Sequence, residues 1–572
     1  MWRSLGLLCA VTFLTLLPPT RAGFMARGAN GGTNCAACAV LVGLVEQLAQ
    51  VYNEDAVKAL DRFCSFLPDQ LQAPCRAGAK IFAPYIAEAI YNKETPDVVC
   101  HAIGFCKVDP GHQACHLFPV PKGGMEAALR RTQPMYQEVK KMRQQHGYAD
   151  ICNIPGIKEI CDIINRAFNS HLPAEDLDKD GFSTIKTFRG SSWRGKDCND
   201  LDSRHHPGAR PINGDVLTDS NCNGISGLDS ETGLPYEDLL CNGTEPRGMI
   251  LLGDSIGAHF HLPPQWFEAK SLNPSVFKDL LFILENEIDW PELSAATGHM
   301  NNTFGEVIKG PVDSIYMRLR ERNRCNHRDY QNIGVNGGRS GSMNSTIVRS
   351  LVRNRMSDYP ALVNIEVVGN DVCNGHPDTL SHMTKPDEFR KNMLDTLQYL
   401  DGVLPAGSHV WLTGLANGSL LYDNVHDRIY PLGSLRNDIT YTDFYSYMNC
   451  LEISPCAGWL TDNSTLRYLT TKRAFELSDV LKNITATSEY KNFDLVYLDI
   501  GIDEVIAEWE ANGGEGWQLI EPVDGFHINQ QANALAAAHF WKQLEKEYPD
   551  LMGKVNPNND RIKELFGDQG GY

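Results

Sequence analysis

Four short segments set chemistry-bearing side chains beside glycine or at the end of an apolar run. The first is Gly253-Asp254-Ser255-Ile256-Gly257, directly after Met249-Ile250-Leu251-Leu252. A serine at the carboxyl end of a buried strand, flanked by glycines, stands where open α/β sheets place their ligands. The others are Asn332-Ile333-Gly334-Val335-Asn336-Gly337-Gly338, Gly369-Asn370-Asp371 after the apolar run Leu362 to Val368, and Asp524-Gly525-Phe526-His527 ahead of a helix. A serine hydroxyl, a histidine with an aspartate three residues earlier, and amides beside glycine are the materials of nucleophilic attack on an acyl carbon. Each segment alone also reads as a turn, a loop glycine or a helix cap.

A second chemistry is carried by the acidic stretch 171–230. Its candidate metal ligands are Asp176, Asp178, Asp180 and the Phe182 carbonyl, then Asp197, Asn199, Asp200 and Asp202, then Asp219, Asn221 and Asn223, with Asp229 beyond. Hard oxygens at alternate positions, with a glycine that permits a sharp turn, are what Ca2+ requires. No glutamate closes a loop at its twelfth position, so an EF-hand is excluded, and calcium loops resembling thrombospondin-type repeats fit better. The ion is expected to be structural.

The elements that must position the first set are legible from residue 245 onward. Short apolar runs at 249–252, 362–368, 410–412 and 495–498 read as buried strands, and Phe389 to Leu400 as an amphipathic helix. Strands alternating with helices imply a parallel sheet covered on both faces. The span from about 415 to 490 is expected to decorate it, tied down through Cys450 and Cys456.

In order and spacing, the four segments resemble the blocks of the GDSL (SGNH) hydrolase family over residues 245–548. The first block carries Ile256 where that family usually has leucine. Gly253, Ser255 and Gly257 also satisfy the Gly-x-Ser-x-Gly elbow of α/β-hydrolases literally, but the downstream blocks and the late Asp-x-x-His favour the GDSL assignment. The resemblance implies a catalytic Ser255, Asp524 and His527: the histidine takes the serine proton and the aspartate holds the imidazole tautomer. It also implies an oxyanion hole from the amides of Ser255 and Gly337 and the side chain of Asn370, each donor typically worth about 3 to 4 kcal/mol.

Upstream, Cys35, Cys38, Cys64, Cys75, Cys100 and Cys106 punctuate segments of helical periodicity such as Val40, Leu41, Leu44, Val45 and Leu48. Six cysteines allow fifteen pairings. A nested scheme of Cys35 with Cys106, Cys38 with Cys100 and Cys64 with Cys75 would staple a helical hairpin bundle. The six spacings resemble the saposin family, which implies a module that binds or presents lipids. Cys115, just outside the set, is a candidate for a bond to a later cysteine.

The chain is expected to be multidomain, with a disulfide-stapled all-α saposin-like domain and an α/β three-layer hydrolase domain built on a parallel sheet. Residues 1–22 read as a signal peptide, 23–33 as a candidate propeptide, and 34–115 as the saposin B-type domain. Residues 116–150 read as a linker, helical near Met125 to Met142, with a candidate processing site. The acidic calcium segment takes 151–244 and the esterase 245–572. After the signal no stretch of about twenty apolar residues is apparent, so the mature chain is expected to be soluble. Sixteen cysteines beyond the signal and sequons at Asn242, Asn301, Asn344, Asn417, Asn463 and Asn483 fit the secretory route. The net charge of −19 argues against nucleic acid and against a simple electrostatic grip on an anionic membrane.

The pairing of the two modules resembles a family of secreted or lysosomal lipid esterases. That implies removal of secondary fatty acyl chains from the lipid A of bacterial lipopolysaccharide, and maturation to small and large subunits joined by disulfide. The residues alone reach an esterase acting on a lipid that the saposin module helps extract. A phospholipase, lysophospholipase or acyltransferase acting on phospholipids and acylglycerols satisfies the same reading, and a non-enzymatic lipid carrier is the rival from another class.

Overall fold

The computed structural model describes residues 28–146 and 171–572, so the expected signal peptide, residues 23–27 of the candidate propeptide and residues 147–170 lie outside the described residues. Five helices build the first unit: α1 Gly32–Val51, α2 Ala56–Phe66, α3 Asp69–Tyr91, α4 Pro96–Ala102 and α5 Met125–His146. The cysteines pair in the nested order, Cys35–Cys106, Cys38–Cys100 and Cys64–Cys75. Helix α2 begins where Asp55 accepts from the Lys58 N–H, and α4 where Pro96 presets the first turn.

Two sequence expectations change here. Helix α5 is not a free linker, because Ala128 and Val139 are buried and Arg131 forms a two-point ion pair with Glu94 of the α3–α4 turn. Helix α1 is not simply amphipathic. It is long and apolar enough, by length and composition, to cross a membrane, and 67% of that stretch is buried. A helix that is apolar all round needs neighbours all round. On one side α1 packs in the disulfide-stapled bundle; on the other, Gln47 donates to the Leu432 carbonyl at 2.8 Å and Cys35 Sγ lies 3.5 Å from the Tyr447 hydroxyl. Gly43 permits this packing, since a Cβ there would stand 2.3 Å from the Phe118 ring.

The second unit is a five-stranded, wholly parallel sheet of order β2-β1-β3-β4-β5, with β1 Gly248–Gly253, β2 Tyr330–Gly334, β3 Ala361–Glu366, β4 Ser408–Thr413 and β5 Phe493–Leu498. The four expected apolar runs are strands, and the second glycine-rich block begins within β2 rather than after it. Strands β1 to β4 are buried throughout. Helices flank the sheet; they include α6 Ser255–Ala258, α7 Pro386–Val403, α8 Tyr441–Cys450, α9 Ser464–Thr487 and α10 Gln530–Glu547.

The chain leaving β1 runs to β2 on one side and the chain leaving β3 runs to β4 on the other, so the connections part in opposite directions between the carboxyl ends of β1 and β3. That is where such sheets open a crevice. Among the described residues four further disulfides fix the surroundings: Cys115–Cys450, Cys198–Cys222, Cys241–Cys325 and Cys373–Cys456. The first bolts the helical unit to α8, and the last ties the 415–490 insertion to the loop after β3.

Candidate active site

The turn after β1 is built by Asp254. Its carboxylate accepts from the Ile256 N–H at 3.0 Å, which caps α6, and from the Val368 N–H at 3.0 Å, which ties the end of β1 to the chain leaving β3. The Asn370 side chain also hydrogen-bonds to it. Burial pushes the Asp254 carboxyl up to about 6, against those hydrogen bonds.

On this turn Ser255 points its Oγ to His527 Nε2 at 2.6 Å, across 272 residues of sequence. The Nδ1 of the same ring is held by Asp524 Oδ2. Asp524 Oδ1 accepts from the Phe526 and His527 N–H groups at 2.8 and 3.1 Å, so the loop fixes its own carboxylate. Two tyrosines of α8 hold that loop from outside: Tyr441 donates to the Pro522 carbonyl at 2.6 Å and Tyr445 to that of Gly525 at 2.8 Å. The insertion read as decoration therefore positions the histidine loop.

Burial opposes the His527 imidazolium, but the charge and hydrogen bond of Asp524 outweigh it, with Asp254 and Glu521 adding, and the ring ends above the usual histidine value. A hydroxyl against such an imidazole can lose its proton as it attacks a carbonyl. An imidazole can take that proton only when neutral, so kcat/KM is expected to fall with acid along a limb centred above about 6.5. Asp524→Asn should move that limb down and cost about 10⁴-fold. A pH–rate profile of both forms checks this.

Gly337 and Asn370 line the same cavity as Ser255 and His527, and φ is +74° at Gly337, a left-handed conformation that suits glycine. Asp371 takes no place there; it accepts from the backbone and hydroxyl of Ser340 at 2.8 and 2.7 Å and pins the glycine-rich loop. A buried arginine from the acidic segment braces this loop as well: Arg189 donates to Gly334 O at 2.7 Å and grips Glu287 through two bonds of 2.6 Å.

The cavity measures about 290 Å³. Its apolar walls are Phe260, Leu262, Phe267, Tyr430, Phe444, Met448, Val523 and Phe526, and α1 of the helical unit joins the lining through Thr33, Ala36 and Val40. None of these residues had a local signal, since each is an ordinary core side chain until the two units meet.

The acidic residues converge in part. Carboxylate oxygens of Asp176, Asp178 and Asp200 lie within 4.8 Å of one another, as do those of Asp178, Asp180 and Asp197. Asp202 is instead taken by Arg204 at 2.6 and 2.9 Å, and Asp229 by Thr232 at 2.9 Å and Arg561 at 3.6 Å. In the third loop the side-chain amides of Asn221 and Asn223 both donate to Glu237, a residue the sequence reading missed. Burial pushes Asp180 up to about 8, Asp197 to about 6 and Glu237 to about 7.

The parallel sheet, the strand-end serine and the cavity define a lipid-acting ester hydrolase. A GDSL-like Lipase/Acylhydrolase profile matches residues 249–540 and a Saposin-like domain profile residues 34–162, the latter reaching past α5. The chain is 45% identical to acyloxyacyl hydrolase of Homo sapiens over 545 residues, covering 95% of this chain and 94% of that protein. It is 44% identical to acyloxyacyl hydrolase of Oryctolagus cuniculus over 580 residues, covering 100% and 99%, and 44% to that of Mus musculus over 543, covering 95% and 94%. The chain belongs to the acyloxyacyl hydrolase family. It hydrolyses acyl esters of lipids. Its disulfide content is consistent with secretion.

Proposed function

We propose that the protein removes secondary, acyloxyacyl-linked chains from the lipid A of bacterial lipopolysaccharide and so detoxifies it, with Ser255, His527 and Asp524 as its catalytic residues. The observation that carries this reading is the cavity itself: the Ser255–His527 pair lines a largely apolar space that the saposin-like helix α1 also lines. An ester whose two sides are both acyl chains suits such a space. The name of the relatives describes that linkage.

Ser255 Oγ attacks the ester carbonyl while His527 takes its proton. The oxyanion is met by the amides of Ser255 and Gly337 and by Asn370. His527 then protonates the departing hydroxyl of the primary chain, and a water activated by the same ring releases the acyl group. Incubation with lipopolysaccharide and, separately, with phosphatidylcholine, followed by mass spectrometry of the released acids, tests the substrate. Secondary acids from lipid A are expected; release from phosphatidylcholine alone would overturn it in favour of a phospholipase.

Calcium belongs to the same reading. Asp178 Oδ2, Asp180 Oδ2 and Asp197 Oδ2 are buried without a hydrogen-bond partner, as is Glu237 Oε2. Oxygens facing one another across Ca2+ stand about 4.8 Å apart, twice the Ca–O distance of about 2.4 Å. Asp176, Asp178, Asp180, Asp197, Asp200 and the Phe182 carbonyl, and in the third loop Asp219, Asn221, Asn223 and Glu237, would hold such ions, which supply cohesion and no step of the reaction.

The protein travels the secretory route to the exterior or to a lysosomal or granule lumen, glycosylated at its sequons. Asn242, Asn301, Asn463 and Asn483 are exposed, and Asn344 and Asn417 half-buried. A cut between Cys115 and the hydrolase would leave small and large subunits joined by Cys115–Cys450.

A further inference from the structure

The turn bearing Ser255 and the loop bearing His527 come from opposite ends of the hydrolase sequence, yet a second buried histidine–carboxylate pair spans them. His261, six residues after the serine, places Nδ1 2.7 Å from Glu521 Oε2, and its Nε2 lies 3.0 Å from the Val307 carbonyl oxygen. Glu521, six residues before His527, donates its N–H to the His527 carbonyl at 2.8 Å and accepts from the Gly525 N–H at 2.9 Å. The side chains are 5% and 0% exposed.

With an acceptor opposite each ring nitrogen, both contacts are satisfied only when the pair holds two protons. These sit either both on His261 or one on each residue, and the pair is neutral overall in both cases. Losing a proton would set a lone pair against an acceptor where no water can compensate. Phe260, adjacent to His261, lays its ring against the His527 imidazole at 4.7 Å, so the anchor of residue 261 also sets the packing on the base.

We infer that Glu521 is a positioning residue for the acyl-transfer site: through His261 it clasps the nucleophile turn to the base loop and holds His527 on Ser255. The titratable groups facing the pair are His259 on the nucleophile turn, Asp524 and His527 on the base loop, and Tyr430 and Tyr441 from the insertion. A small displacement of a reacting group costs about 10²-fold in rate.

The inference rests on the assignment of Ser255 and His527, and turnover of p-nitrophenyl butyrate by the full chain tests the two separately. Glu521→Ala is expected to lower kcat about 10²-fold with KM within about 3-fold. Glu521→Gln, whose amide can donate to His261 Nδ1, should restore most of kcat near neutral pH. A merely structural Glu521 would lower the melting temperature and leave kcat of the folded Ala variant within about 3-fold of the parent.

The inference is overturned if Glu521→Ala keeps kcat within about 3-fold of the parent, or if Glu521→Gln fails to recover activity. Should the Ala variant fail to fold, Glu521→Asp, whose shorter side chain draws the carboxylate back from His261 Nδ1, takes its place with the same expected loss and the same overturning result. Ser255→Ala, run alongside, separates the failures: retained turnover there would refute the site itself, whereas its loss beside parent-like Glu521 variants refutes only the clasp.

Discussion

Ser255→Ala is expected to lower acyl release about 10⁴- to 10⁶-fold while leaving lipid binding unchanged. The substitution removes one oxygen, the partner of His527 Nε2 at 2.6 Å. Nothing in the fold leans on that oxygen: α6 is capped by Asp254, and the β1 turn is tied to the β3 end through the same carboxylate. The cavity walls that would hold acyl chains are side chains of other residues. The residual rate should reflect the oxyanion donors and binding alone, as in enzymes whose serine acts as one unit with its base. Single-turnover release of fatty acid, with binding of a fluorescent lipopolysaccharide measured on the same preparation, checks both halves. Retention of more than about one part in a hundred of the rate would remove Ser255 from its role.

Removing calcium should lower stability more than any single surface substitution. Each ion bound only by the folded protein contributes about 2.7 kcal/mol when its concentration is 100 times its dissociation constant. Here the ligands would be carboxylates already assembled and partly buried, so chelation leaves like charges facing one another without a counter-ion.

The effect should reach the chemistry, because the acidic segment grips the glycine-rich loop through Arg189, bonded to Gly334 O and Glu287. Thermal unfolding in excess chelator is therefore expected to begin several degrees lower than in millimolar CaCl2, with a parallel loss of kcat. Asp180→Asn should reproduce much of it in the presence of the ion. Identical melting curves with and without chelator would sink the proposal.

Much of the site was legible because its chemistry constrains neighbours in sequence. Asp524 holds His527 from three residues away and also accepts that residue's own N–H, so the pair is a local motif. Gly253-Asp254-Ser255 is local for the same reason, since Asp254 caps the helix that begins at the serine. Strands β1, β3 and β4 were legible because each is buried on both faces and so reads as a largely apolar run, whereas β2, equally buried, carries Gln331 and Asn332 and gave no such run. The expected saposin pairings are the disulfides found, Cys35–Cys106, Cys38–Cys100 and Cys64–Cys75.

What was missed involves partners far apart in the chain. Val40 looks like one more residue on the apolar face of a stapled helix, yet it lines the cavity beside Ser255. Tyr445 looks like part of a surface insertion, yet it holds the histidine loop. Glu237 completes an asparagine loop from fourteen residues beyond Asn223.

The sequence by itself therefore determined which serine, histidine and aspartate are candidates for the chemistry, the parallel sheet that presents them and the two kinds of module, since these follow from local residue identity, hydrophobic period and cysteine spacing. Only the tertiary structure decided that both modules line one cavity and that an insertion and a second histidine–carboxylate pair contact the loop bearing His527. Burial and hydrogen bonding between residues hundreds of positions apart leave no periodic or local trace in the chain.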